Sequence, residues 1–241
     1  MDQTVIPTTG VKLECLRAVN SLVSSGNVSM LSHTSGTVCL EYIKPLTDNS
    51  GLSFNELMLN HYATDPHPLL SLNADQAVGR TANVYVIHSW LNPFSLLVQL
   101  IEDFVASNSS ESNYSFWIDI FSCNQWNLAD FQKTSISSSI LSLFDKVDHT
   151  LVILDDLSSP LIVSRMWCLF EIYCSKRARK NITFLIKKKL LNDLNEVTHN
   201  LIMNTAFFRL TKLMFVVMHG ALHSHMETLI FTDCSIFSFC S

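Results

Sequence analysis

A tryptophan and a glutamate lie one helical turn apart in residues 160–175, which read PLIVSRMWCLFEIYCS. Trp167, Glu171 and Cys174 follow an i, i+4, i+7 spacing, so a helix would present all three on one face. Shielding by an aromatic ring would raise the pKa of the glutamate, and a cation bound there would meet both a negative charge and a π-face. This spacing makes Glu171 the best candidate for a functional carboxylate.

Further polar side chains follow short apolar runs along the chain. His88, Ser89 and Trp90 come at the end of the first run, Asp119 lies near the end of the second, and two acids follow the third, namely Asp155 and Asp156. Ligands of open parallel sheets bind beyond the carboxyl ends of the strands. The aspartates are therefore candidates for holding a ribose hydroxyl or a metal, and capping of loops or helices is the equally open alternative.

Four apolar runs predict the strands that must position these groups. They are residues 84–88, 116–120, 150–154 and 182–186. The runs do not alternate apolar with polar residues, which is typical of parallel strands buried on both faces. Each gap leaves room for a crossover helix, with candidates at 93–106, 131–146 and 164–177. We therefore predict an α/β fold with an open parallel, flavodoxin-like sheet of four to five strands and helices on both faces.

The flanking regions carry weaker patterns. Leucine and valine recur at helical spacing within residues 13–23, and Ser53 with Glu56 forms an S-x-x-E capping box that predicts the start of another helix. Residues 37–43 are predicted to be a strand. Beyond the core, residues 190–208 have a helical pattern and residues 213–218 are the candidate fifth strand. We assign 1–75 to a mixed or poorly ordered N-terminal extension, 76–195 to the α/β domain and 196–241 to an uncertain tail.

Composition excludes several classes of function. Hydrophobic residues make up 48% of the 241, so a folded core is expected, and the net charge of −5 does not favour nucleic acid as the main partner. No secretory signal and no apolar run long enough to span a membrane are visible. The seven cysteines form no CxxC pair, which favours reduced thiols in the cytoplasm. No glycine lies between Gly79 and Gly220, which excludes a phosphate-binding loop from the core.

The segment Ser164-Arg165-Met166-Trp167-Cys168-Leu169-Phe170-Glu171 resembles the third-helix motif of Toll/interleukin-1 receptor (TIR) domains, with one residue, Met166, between the arginine and the tryptophan. Residues 84–90, 116–119 and 150–154 resemble the first three TIR strands. The pattern is most similar to a divergent W-C-L-x-E family, often found at the head of tetratricopeptide-repeat proteins. No such repeat is present in this chain.

This resemblance implies a function for the domain. Enzymatic TIR domains cleave the nicotinamide–ribose bond of NAD, and the glutamate of the third helix is essential to them, so Glu171 becomes the candidate catalytic residue. Contacts with NAD, as substrate rather than cofactor, would come from Ser89, Trp90, Phe94, Asp119 and Trp167; no metal is expected. Packing roles remain the alternative for the aromatic residues. Self-association in cytoplasmic stress or immune signalling is expected, and a non-catalytic adaptor module, or a fragment of a larger repeat protein, is the open alternative.

Overall fold

The computed structural model describes residues 7–25, 33–48, 50–108, 114–126, 136–157, 159–187 and 190. The strands are β1 (Gly10–Val11), β2 (Val78–Gly79), β3 (Val84–Ile87), β4 (Phe116–Trp117), β5 (His149–Ile153) and β6 (Asn181–Leu185). The helices are α1 (Leu13–Ser25), α2 (Ser35–Val38), a π-helical turn (Cys39–Ile43), α3 (Lys44–Leu46), α4 (Phe54–His61), α5 (Ala74–Ala77), α6 (Phe94–Ser107), α7 (Asp119–Ser122), α8 (Ile136–Phe144), a 3-10 turn (Leu161–Ser164) and α9 (Met166–Arg177).

The strands form one sheet in the order β2-β1-β4-β3-β5-β6. The four strands predicted from the apolar runs, β3 to β6, are parallel to one another. The α/β class is therefore confirmed, but the prediction of a purely parallel sheet with four to five strands is wrong. The sheet has six strands and is mixed, because β1 pairs antiparallel with both β2 and β4. Two-residue strands are too short to show a periodicity in sequence.

The central strands β3 and β5 are buried on both faces, as continuous apolar strands predict. Val84 and Val86 of β3 belong to a core shared with α1 and α6, whereas Tyr85 and Ile87 belong to a second core shared with α8 and α9. Successive side chains of a strand point to opposite faces, so one strand supplies both cores. Each face is thus covered by helices that also carry candidate site residues.

The described part of the N-terminal 75 residues packs against the sheet. The helix predicted within residues 13–23 is α1, and the capping box is present at α4, where Ser53 and Glu56 exchange both hydrogen bonds. The strand predicted at 37–43 is wrong, because this stretch is helical. Its β-branched residues favoured a strand, but the Thr34 hydroxyl accepts a hydrogen bond from the Thr37 backbone N–H at 3.1 Å and caps a helix instead.

Predicted boundaries in the core differ from the observed ones most clearly at β4 and α9. Strand β4 ends at Trp117, and Asp119 already begins the short helix α7. The predicted helix at 164–177 is preceded by the 3-10 turn and begins at Met166. The helix predicted at 190–208, apart from Leu190, and the strand predicted at 213–218 lie outside the described residues. Among the described helices, none combines the length and apolar character needed to cross a bilayer.

Candidate functional site

The connections that follow β3 and β5 run in opposite directions across the sheet. After β3 the chain crosses in α6 on one face towards β4, and after β5 it crosses in α9 on the other face towards β6. The loops beyond these two strands therefore diverge and leave the crevice in which doubly wound sheets bind ligands. We call the side chains gathered at this edge the crest cluster: His88, Trp90, Asp119, Arg165 and Glu171.

Asp119 is the central acceptor of the crest cluster. Its Oδ2 accepts a hydrogen bond from Trp90 Nε1 at 2.8 Å, and its Oδ1 accepts one from the Ile120 backbone N–H at 2.8 Å. The side chain remains 24% exposed, so the carboxylate is fixed in orientation and still reaches the surface. These bonds connect the loop after β3 with the end of β4.

His88 lies beneath Asp119 and is buried. Its Nδ1 is 3.9 Å from Asp119 Oδ1, and its backbone carbonyl accepts a hydrogen bond from the Cys168 thiol at 3.4 Å. Burial lowers the pKa of His88; Asp119 opposes this shift, and Arg165 adds to it. The histidine is therefore expected to be neutral at pH 7, and the thiol contact ties it to the start of α9.

Arg165 supplies a positive charge at the same edge. It is the residue before α9, and its guanidinium carbon is 5.9 Å from the centroid of the Trp90 ring. This distance is within the range of a cation–π contact. A carboxylate and a guanidinium therefore both contact one half-buried indole, and the crest cluster has an anionic and a cationic group side by side.

Glu171 is buried, with only 4% of the residue exposed. Its Oε1 accepts a hydrogen bond from the Tyr85 hydroxyl at 2.6 Å. Burial is the main reason why the pKa of Glu171 rises to about 8, and the negative charge of Asp119 adds to it. Hydrogen bonds from Tyr85 and Trp167 and the charge of Arg165 oppose the rise. The group is thus mostly protonated at pH 7, below the rim of the crevice.

Tyr85 is held rigidly where it meets Glu171. Its ring stacks on Trp117, with centroids 4.7 Å apart and an interplanar angle of 13°, and it packs on Phe144 at 4.5 Å. The Trp117 indole in turn donates to the Pro7 carbonyl at 2.9 Å. A side chain packed on both sides loses little further entropy in holding a hydrogen bond, which favours a fixed Tyr85–Glu171 geometry.

The remaining predicted contacts lie in packed surroundings. Ser89 is fully buried, and its Oγ accepts a hydrogen bond from the Leu91 backbone N–H at 3.3 Å. Phe94 is 1% exposed and packs near Phe121, with ring centroids 6.2 Å apart. Trp167 is half-buried, and its ring centroid is 5.9 Å from that of Phe170. Ser89 and Phe94 are therefore core residues, whereas Trp167 is partly accessible.

Asp155 and Asp156 take the loop-capping role that was their alternative. Asp155 Oδ1 accepts from the Leu161 backbone N–H at 2.9 Å, and Asp156 Oδ1 accepts from the Ser159 backbone N–H at 3.1 Å. Both bonds shape the loop between β5 and the 3-10 turn. Among the residues that the structure describes, no group of three or more histidine, cysteine or acidic side chains is arranged to hold a metal.

Two residues of this region were not predicted from sequence. Tyr85 was counted only as an apolar strand residue, although a buried tyrosine hydroxyl usually needs a partner and signals one. Gln125 donates from Nε2 to the Asp119 carbonyl at 2.8 Å, and its buried Oε1 has no hydrogen-bond partner in the described part of the chain. Nothing in the local sequence indicated that this glutamine folds back onto the start of α7.

The chain matches no family model, no curated protein and no solved structure. Its function therefore has to be inferred from the residues of the crest cluster.

Proposed function

We propose that this chain is a TIR-like, cytoplasmic signalling domain that hydrolyses NAD at the nicotinamide–ribose bond, with Glu171 as the catalytic residue. The observation that carries the proposal is the Tyr85–Glu171 hydrogen bond of 2.6 Å. It holds a carboxyl group with a raised pKa near the edge of the sheet where the loops after β3 and β5 lead to opposite faces. Perturbed carboxyl groups of this kind are frequent in active sites.

The reaction needs only a small set of groups. The nicotinamide of NAD⁺ already carries a positive charge, so it departs as neutral nicotinamide when the C–N bond breaks and takes the bonding electrons. The ribose that remains resembles an oxocarbenium ion, which a nearby carboxylate stabilises. Water then attacks the anomeric carbon and releases one proton, giving ADP-ribose. Ionised Glu171 would supply the stabilising charge.

The other members of the crest cluster have chemistry that suits the rest of NAD. Asp119 is partly exposed and can accept hydrogen bonds from ribose hydroxyls. Arg165 can pair with the diphosphate, because a guanidinium binds phosphate oxygens in a fork. Trp90 and Trp167 offer half-buried rings against which a base or the nicotinamide can stack.

Burial of Glu171 imposes a condition on this mechanism. With a pKa of about 8, the group is mostly protonated at pH 7, and only its ionised form can stabilise the cationic ribose. Hydrolysis by the free domain is therefore expected to be slow at pH 7 and to rise as the pH approaches and passes 8. Opening of the crevice on self-association would lower the desolvation penalty and the pKa.

A non-catalytic adaptor is the second candidate, and the low exposure of Glu171, 4%, is the observation that favours it. Large exposed apolar side chains adjoin the helical segment 35–46 and would suit self-association in either case. Leu40 lies within the segment and is 37% exposed, and Trp126 is 49% exposed and donates to the Lys44 carbonyl at 3.1 Å. Leu91, 60% exposed, follows Trp90, whose carbonyl accepts from the Gly36 N–H.

The test uses the full chain, because residues 7–80 contribute β1 and β2 to the same sheet and supply helices that pack in its core. Purified wild-type protein is incubated with NAD across a pH range, and free nicotinamide is separated and quantified. Light scattering on the same samples reports the state of assembly. The matched variants are Glu171→Gln and Glu14→Gln, of which Glu14 is exposed in the first turn of α1.

The expected result is nicotinamide release by wild type and Glu14→Gln, with a loss of at least about a hundredfold in Glu171→Gln, a typical cost of removing an electrostatic stabiliser of a transition state. If assembled, folded wild type leaves NAD intact, the adaptor function replaces the hydrolase. If Glu171→Gln is as active as wild type, the carboxylate assignment is wrong.

A further inference from the structure

A groove lies on the α6 side of the sheet and reaches from the amino ends of β3 and β5 to the carboxyl end of β6. It has a volume of about 620 Å³ and runs between α6 and the strands β5 and β6. The lining relevant here consists of Leu100, Phe104, Tyr114, His149, Thr183 and Leu185. Phe104 packs against both Tyr114 and His149, at centroid distances of 5.3 and 5.6 Å. The groove is therefore a preformed, largely apolar trough along one face of the sheet.

The groove exists because β6 is incompletely covered. All four residues of β3 are buried, and in β5 only His149 is not, whereas every residue of β6 is half-buried or exposed. Thr183 and Leu185, whose partners Leu151 and Ile153 face α6, are both half-buried. Parallel strands are normally covered on both faces. Within the described ranges, α8 and α9 pack on the other face, and α6 covers β3 but leaves β6 open on its own side.

Residues near the end of the described chain line this groove. Leu185 and Ile186 line it, and Leu190, the last described residue, is helical and half-buried. The sequence then continues as LNDLNEVTHNL over residues 191–201. Apolar residues recur at helical spacing from Leu190 onwards, at Leu191, Leu194, Val197 and Leu201, with asparagine, aspartate and glutamate between them. Such a stripe requires an apolar surface to cover.

We propose that residues 190–201 dock in this groove, with the Leu191/Leu194/Val197/Leu201 stripe against α6, β5 and β6. A helix of twelve residues is about 18 Å long, and a five-residue strand is about 17 Å long, so the segment and the exposed strand match in length. The groove is then an intramolecular docking site, which completes the cover of the sheet. This inference does not depend on the proposed hydrolase activity.

The test is site-specific photo-crosslinking in the full chain. A photoreactive phenylalanine analogue replaces Ser107, which is exposed on the groove rim at the end of α6, and in a control protein it replaces Glu41. After illumination, mass spectrometry identifies the attached peptides. We expect an intramolecular crosslink from position 107 to residues 190–208, and none to that segment from position 41.

A second pair of variants tests the stripe. Leu194→Asp is expected to reduce the crosslink from position 107 at least about fivefold, whereas Asn195→Asp, on the polar side of the same turn, is expected to keep it. A crosslink from position 107 to a second copy, or to no part of residues 190–208 in folded protein, would overturn the proposal. This wild-type measurement stays decisive even if Leu194→Asp fails to fold.

Discussion

The Tyr85 hydroxyl donates a hydrogen bond of 2.6 Å to the Glu171 carboxyl, from the second residue of β3 to the middle of α9. The bond joins a strand of the central sheet with the helix that covers it, inside a core of aromatic rings. Burial raises the pKa of Glu171 to about 8 and raises that of Tyr85 well above its ordinary value. The pair is thus mostly uncharged at pH 7, so no ionised carboxylate is buried and folding takes up a proton instead.

Glu171 makes the stability of the protein fall as the pH rises. Its pKa is about 8 in the folded chain and near 4.5 when unfolded, so between these values the folded state holds a proton that the unfolded state has released. The stability contributed by this proton is fully present below pH 4.5 and is lost as the pH rises through the folded pKa, with a slope of up to about 1.4 kcal/mol per pH unit. Urea unfolding of wild type and Glu171→Gln across this window should show a smaller loss in the variant. Equal slopes would mean that Glu171 titrates normally.

Replacing Tyr85 with phenylalanine removes the donor and leaves a buried carboxyl oxygen with one partner fewer. We expect Tyr85→Phe to lower the free energy of unfolding by about 1–3 kcal/mol. The pKa of Glu171 should rise further, because the Tyr85 hydrogen bond lowers it. Denaturant unfolding and infrared titration of the carboxyl band measure the two effects. Tyr62→Phe, at a half-buried tyrosine of α4's C-terminal end, is the control and should change neither.

Asp119→Asn should move two pKa values in the same direction from one change. The charge of Asp119 raises the pKa of both Glu171 and His88, so its removal should lower both. The asparagine oxygen can accept from Trp90 Nε1 or from the Ile120 backbone N–H but not from both, so the variant keeps the shape of the side chain and loses one hydrogen bond. Titration of the His88 ring followed by NMR, beside the infrared titration of Glu171, measures the shifts. An unchanged pKa of Glu171 would mean that the charge of Asp119 does not act on this carboxyl group.

Gly10 permits β1 to lie between β2 and β4. A Cβ added there would lie 2.7 Å from Ser115 Oγ, 2.8 Å from the Phe116 carbonyl oxygen and 2.9 Å from Ala82 Cβ. Gly10→Ala is therefore expected to destabilise the fold by about 1–3 kcal/mol. At Gly36, a Cβ would approach the Trp90 carbonyl oxygen only to 3.4 Å, and alanine favours the helix there. Thermal unfolding should show a loss for Gly10→Ala alone; equal stability would argue against the close pairing of β1.

The parallel strands and the helical position of Glu171 were predictable from sequence for a simple physical reason. Continuous apolar stretches at 84–88 and 150–154 can only be buried on both faces, which requires parallel strands covered by helices, and β3 and β5 have that arrangement. The spacing of Trp167 and Glu171 likewise placed both on α9. Local pattern was misleading at 37–43, where one capping hydroxyl at Thr34 outweighed the strand preference of its neighbours.

The sequence by itself determined that the core strands alternate with helices, as in a parallel sheet, and that Glu171 lies on a helix. Both follow from periodicity and from the order of segments along the chain, which are local properties. Only the tertiary structure decided the surroundings of that acid. Tyr85 is 86 residues away from Glu171, and Asp119 and Arg165 come from two further segments. Burial and charge act through space, so the pKa of Glu171 depends on neighbours that no local pattern specifies.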